Sequence, residues 1–197
     1  SCVTEDHDLS MYSGAGTLTV GGAVSAAGHA LTLGAKNAIA GAGVLTADEL
    51  VLDAADADVN LMGTHQLGKL DGAAKGLALK NSTNLTVGVD TGLTTAAGGA
   101  SLDVTGNLTV GAHGMTSGAG ALSLKASGTL TIDPNAAVKS TGAAATALEA
   151  GAVNFGAASK VSTVGGTIKV KTDALTLPAG AQGTLLSANG AVTVETR

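Results

Sequence analysis

An all-β parallel solenoid is the fold that this chain predicts, on three observations. Short fragments in which a branched apolar residue alternates with Thr or Ser recur roughly every 6 to 10 residues, from Thr17-Leu18-Thr19-Val20 to Ala191-Val192-Thr193-Val194. Period two is the signature of a strand whose alternate side chains face opposite ways. Between the fragments lie Gly, Ala and small polar residues, including 30 glycines, which permit sharp corners and close backbone approach. Bulky filling is scarce, with one Phe, one Tyr and no Trp. A β-sandwich core roughly 10 Å thick needs large inward side chains. A β-helix is filled instead by stacked Val, Leu, Ile and Ala from coils about 4.8 Å apart.

Taken in order, Leu18/Val20, Leu31/Leu33 and Ile39 belong to coils whose phase the sequence leaves open. Leu50/Leu52, Val59/Leu61 and Leu67 follow, then Leu77/Leu79, Leu85/Val87 and Leu93. In the second half the pairs Leu102/Val104, Leu108/Val110, Leu122/Leu124, Leu130/Ile132, Val153/Phe155, Ile168/Val170, Leu175/Leu177 and Val192/Val194 each follow x-L-x-L spacing. Single apolar residues in turn-rich surroundings, Met115, Val138, Leu148 and Val161, suggest a third, shorter strand per coil. The triplets 102–115, 122–138, 148–161 and 168–185 begin about 20 to 26 residues apart, the repeat of one coil of a parallel β-helix. This shared placement predicts that Leu102, Leu122 and Ile168 stack on one interior ladder, and Leu108, Leu130, Val153 and Leu175 on another. In Thr129-Leu130-Thr131-Ile132 the Leu and Ile point inward, while the outward Thr residues keep strand propensity without an apolar patch. With coils of about 22 residues, some nine fit in the 197 residues. They would form a rod about 40 Å long.

The pattern persists to both ends, so a single β-helix domain is expected over residues 1–197. Its coils would lie in 17–194, with 1–16 a cap or irregular lead-in. At 45% apolar residues and a mean hydropathy of +0.36 the chain is too hydrophobic for a disordered tract. Two prolines and no G-x-y period exclude collagen. The acidic opening Ser1-Cys2-Val3-Thr4-Glu5-Asp6-His7-Asp8 has no apolar leader, and no run is long enough to cross a bilayer. With no initiator Met and a strand running up to Arg197, the chain reads as an excerpt of something longer. Cys2 is alone, so stability rests on ladder hydrogen bonds and stacking rather than an intrachain disulfide. Cysteine poverty fits an exported bacterial protein.

Net charge is −5 and Arg197 is the only arginine. Nucleic acid is therefore excluded as a partner, since bidentate donors for bases and phosphate are almost absent. The aromatic poverty also removes stacking platforms for bases and sugar rings.

Asp48, Glu49, Asp53, Asp56, Asp58 and Asn60 form the densest acidic stretch. Closely spaced oxygen ligands could hold Ca²⁺, yet neither the EF-hand pattern nor the G-G-x-G-x-D nonapeptide is present, and a solvated acidic turn is the reading. Two carboxylates could also cleave a glycoside, but Asp53, Asp56 and Asp58 are surrounded by Ala rather than by aromatic or basic residues. His7, His29, His65 and His113 lie in four separate stretches without zinc spacing. Ser10, Ser13 and Ser25 sit in no G-x-S-x-G elbow, and Cys2 has no local activating partner. Gly14, Gly16, Gly21 and Gly22 form no phosphate-cradling G-x-G-x-x-G. Asn81, Asn84 and Asn107 open N-x-S/T triplets, which arise readily by chance in a Thr-rich chain. No catalytic, cofactor or metal residue is assigned, and the chain is not expected to be an enzyme.

The phrases GAGTLTVGGAVSAAGHALTLGA (14–35), LALKNSTNLTVG (77–88), SLDVTGNLTVGA (101–112) and GALSLKASGTLTIDPNAAVKSTG (120–142) resemble the repeat region of filamentous-haemagglutinin-like exoproteins, large adhesins of Gram-negative bacteria. The resemblance covers about residues 14–194 and is one of repeat style. It implies a right-handed β-helix, exported by an outer-membrane partner pore or fused barrel, that forms a rod-like stalk at the cell surface. The N-P-N-type motif of the family's secretion domain is absent, Asp133-Pro134-Asn135 being the nearest approach. The expected function is thus a stalk or fibre segment, joined to further coils of its parent chain or stacked end to end. A carbohydrate-active β-helix enzyme is one alternative. An ice-binding solenoid is another, raised by the Thr-x-Thr triplets at 17–19 and 129–131 and by 107–109.

Overall fold

In the computed structural model residues 3–180, 185–187 and 189–197 are described, and their strands pair in parallel throughout. The chain is a right-handed parallel β-solenoid of about 8 turns, close to the nine expected. At one strand spacing per coil its length is about 40 Å.

Three ladders carry the architecture. On the first, Leu77, Ala100, Leu122, Thr146, Ile168 and Val192 stack coil upon coil, flanked by Leu79, Leu102, Leu124, Leu148, Val170 and Val194. On the second, Leu85, Leu108, Leu130, Val153 and Leu175 follow one another. The third is Leu93, Met115, Val138, Val161 and Leu185. Towards the N-terminus the same logic stacks Leu9, Leu31 and Leu50, Met11, Leu33 and Leu52, and Leu18, Ile39 and Val59. The interior is one continuous apolar cluster in which Leu31, Leu50, Leu108, Leu130, Val153 and Ile168 are fully buried. Stacking identical small shapes at strand spacing fills this narrow space without aromatic residues.

The second ladder is as the sequence predicts. The first differs by one inward position: Leu102 pairs with Leu124, and Leu122 pairs with Ala100 and Thr146. The strand's first inward residue is Ala100 or Thr146 in these coils, and neither stands out from its Ala- and Thr-rich surroundings. Leu148, expected on the third strand, lies on the first ladder between Leu124 and Val170. Residues 3–16 are not simply a lead-in, because strands Val3–Thr4 and Leu9–Ser13 already pair with Val24–Ala35. Cys2 lies outside the described residues.

Corners differ along the rod. The N-terminal coils bend through long continuous strands such as Leu45–Asn81, whereas later coils insert turns between short strands. Gly88 and Gly114 occupy one such corner with φ of 70° and 71°. A Cβ on Gly88 would penetrate the Gly114 carbonyl, so only glycine permits both the left-handed backbone and the contact. Where the perimeter changes, side chains replace rungs. The fully buried Asn81 accepts from Leu67 N–H at 2.9 Å through Oδ1 and donates to the Leu67 carbonyl at 3.0 Å. Outside, the register Lys80–Asp103–Lys125–Glu149–Lys171–Glu195 alternates in sign at every step.

Candidate functional site

Strand alternation divides the acidic stretch among three environments. Asp48 lies 3.8 Å from Lys69, and Asp58 lies 3.3 Å from Lys75, both as partly exposed surface pairs. Glu49 faces Asp71 and Asp90, and one carboxylate oxygen from each lies within 4.8 Å of the other two. Burial pushes the Glu49 carboxyl up from its ordinary value, the charges of Asp90 and Asp71 add to this, and Lys69 opposes it. Such a trio has the oxygen donors of a hard-cation site. Asp71, however, is buried and already committed. Its Oδ1 accepts from the backbone N–H groups of Asp90, Thr91 and Gly92, and its Oδ2 from that of Val89. The carboxylate fixes the 89–92 corner and so brings Asp90 to Glu49. Asp71 and Asp90 escape a reading of local sequence. Their separations, 22 residues from Glu49 to Asp71 and 19 from Asp71 to Asp90, each match one coil, and this is the signal that relates them.

The third environment holds Asp53 and Asp56. Along the chain they have Ala neighbours, but in space they line an open groove of about 290 Å³ with Tyr12, Ser13 and Lys36. Tyr12, Gly34 and Asp53 occupy successive rungs of one ladder. The Tyr12 ring carbons Cδ1 and Cε1 fill the space that a side chain at Gly34 would take. Tyr12 as a whole residue is 58% exposed. A larger groove of about 430 Å³ runs past Asp58, Val59, Leu77, Ala100 and Ser123 and is lined by small residues, without an aromatic ring.

The histidines do not converge. His29 lies 3.6 Å from Asp6 and 3.9 Å from Asp8, while His7 is exposed beside Glu5. His113 bonds through Nδ1 to the Val89 carbonyl at 2.6 Å. His65 is fully buried, and its Nδ1 accepts the Leu45 N–H at 3.1 Å, which places its proton on Nε2. Among the described residues that Nε2 makes no hydrogen bond of standard geometry, and burial lowers the pKa, with the Leu61 backbone opposing the shift. Ser10 and Ser25 sit on ladder positions beside Thr32 and Thr46. Gly14, Gly16, Gly21 and Gly22 lie in the bends flanking Thr17–Thr19. Of the three N-x-S/T asparagines, Asn81 is sealed in the core. Asn84 Oδ1 accepts from Asn107 N–H, and Asn107 Oδ1 accepts from Thr129 N–H, both at 2.9 Å. Asn84 and Asn107 thus fasten one corner across three coils. Asp133-Pro134-Asn135 is a turn, with Asn135 at φ 64°.

No family model, curated protein or solved structure matches this chain.

Proposed function

We propose that this chain is a structural stalk or fibre segment of a secreted or surface-attached bacterial adhesin. The observation that carries the reading is the single apolar core that runs from Val20 to Val170, with Leu9, Met11 and Leu185 packed against it, beneath outward positions mostly occupied by small polar residues and alternating charges. Such a body is elongated and repetitive, which suits a spacer between an anchor and a binding module. The resemblance in repeat style supports an extracellular location and an outer-membrane export partner. Further coils of a parent chain are the natural neighbours of the rod. Among the described residues, no helix is long and apolar enough to cross a membrane.

Mechanical extension tests the proposal. Pulled from its two ends, the rod should release coils of about 22 residues one after another, each lengthening the tether by about 75 Å at full extension. Collapse in a single low-force event would remove the support for a load-bearing role. A polysaccharide-cleavage screen supplies the opposing test, comparing the natural chain with Asp53→Asn, Asp56→Asn and Asp58→Asn. Turnover by the natural chain that one variant abolishes would replace the stalk with a β-helix enzyme.

A further inference from the structure

We propose that the groove at Tyr12 binds a neutral pyranose unit of a saccharide, with the Tyr12 ring as platform and Asp53 and Asp56 as acceptors for its hydroxyls. This goes beyond a spacer role and does not depend on it. Sequence order places Tyr12 about forty residues from these carboxylates, and only the coiling of the chain brings them together.

Three features point to this ligand chemistry. First, the only tyrosine of the chain is more than half exposed, although nearly every other outward strand position carries a small or charged residue. Its ring edge rests over Gly34, which has no side chain to displace it. A ring with an apolar body and a polar tip suits the C–H face and hydroxyl rim of a pyranose. Second, the groove of about 290 Å³ is at the lower edge of small-molecule sites, which run from roughly 300 to 1,000 Å³. Third, the lining carries two carboxylates and one cationic side chain, Lys36. Ionised carboxylates are acceptors that hydroxyls satisfy, and their excess negative charge disfavours acidic sugars.

The purely structural reading is that Tyr12 only covers a strand glycine, as aromatic residues do in sheets. The two readings predict different spectroscopy. Because the chain has one Tyr and no Trp, its tyrosine emission reports on this ring alone. Titration with cellobiose and lactose should change that emission saturably, with a dissociation constant on the order of 1 mM. Digalacturonate should bind more weakly than either. Heteronuclear NMR titrations should then show binding kept in Tyr12→Phe, lost in Tyr12→Ala, and weakened about tenfold in Asp53→Asn, the loss expected for a charge-assisted hydrogen bond. If Tyr12→Ala fails to fold, Asp53→Asn with an unchanged melting curve decides. No saturable change with either neutral disaccharide would overturn the proposal, as would undiminished binding by folded Tyr12→Ala or by Asp53→Asn. The coil-by-coil extension test does not involve these contacts, so the stalk reading and this one fail separately.

Discussion

Thr146 shows how one atom departs from the logic of its ladder. It sits between Leu122 and Ile168, fully buried, and among the described residues its Oγ1 has no hydrogen-bond partner. An unsatisfied buried hydroxyl is destabilising, whereas Val has nearly the same shape without that atom. Thr146→Val should therefore stabilise the solenoid by about 1 kcal/mol, read as a raised denaturation midpoint with an unchanged slope. His65 makes the second residue-scale prediction. Its Nδ1 takes the place of a backbone carbonyl for Leu45, and a proton there would destroy that bond and bury a charge. Burial lowers the folded-state pKa from the ordinary 6.5, so the unfolded chain takes up the proton more readily. Its contribution to stability is complete above about pH 6.5 and is lost as the pH falls from there through the folded-state value. His65→Asn retains an acceptor but cannot titrate, and should flatten the dependence of the denaturation midpoint on pH below about 6.5. An equally steep profile in that variant would assign the acid sensitivity elsewhere.

At the scale of the strand, register is the quantity that must be specified. Parallel pairing alone tolerates slippage, and a shift by two residues keeps the inward set inward. The outward run Lys80–Asp103–Lys125–Glu149–Lys171–Glu195 favours the observed register, because each strand presents the opposite charge to its neighbours, while at its end Glu195 bridges diagonally to Lys169 at 2.9 Å. Each exposed cross-strand pair contributes only tenths of a kcal/mol, but a middle residue belongs to two of them. Lys125→Glu places an acid between Asp103 and Glu149, and should destabilise by about 1 kcal/mol at low salt, with much of the loss recovered at high salt. A loss insensitive to salt would mean that packing by the Lys stem, not charge, is responsible. The alternation is readable in the sequence once the rungs are known. It is invisible beforehand, since the six residues are spaced by 22 to 24 positions along the chain.

At the scale of the whole molecule, a solenoid is additive where a globular domain is not, because each coil contacts only its neighbours. Met115 pairs directly with Val138, and the same step recurs from Thr116 to Lys139 and from Ser117 to Ser140. Deleting residues 115–137 joins Gly114 to Val138 and leaves every later strand on its original ladder. This variant should fold with native-like circular dichroism and a rod about 5 Å shorter by small-angle scattering. Deleting only 115–126 removes half a coil, turns the downstream faces out of phase, and should give an aggregated or molten product. Equal behaviour of the two deletions would contradict the modular account.

The sequence by itself determined that the chain is a β-solenoid. Alternation assigns the inward and outward sides of a strand locally, and poverty in large side chains leaves a narrow stacked interior as the way to fill a core. It also placed Leu108, Leu130, Val153 and Leu175 on one ladder, because their coils have nearly equal lengths between corners. Only the tertiary structure decided which residues of different coils meet. Corners absorb variable numbers of residues, so Leu102 stands beside Leu124 rather than Leu122, and Leu148 joins the first face. The same uncertainty hid the side-chain clusters. Glu49 with Asp71 and Asp90, and Tyr12 with Asp53, are each separated by about one or two coils, and their proximity is created by ladder hydrogen bonds and core packing. Local periodicity carries information along the strand axis, whereas a site on a solenoid is assembled at right angles to it.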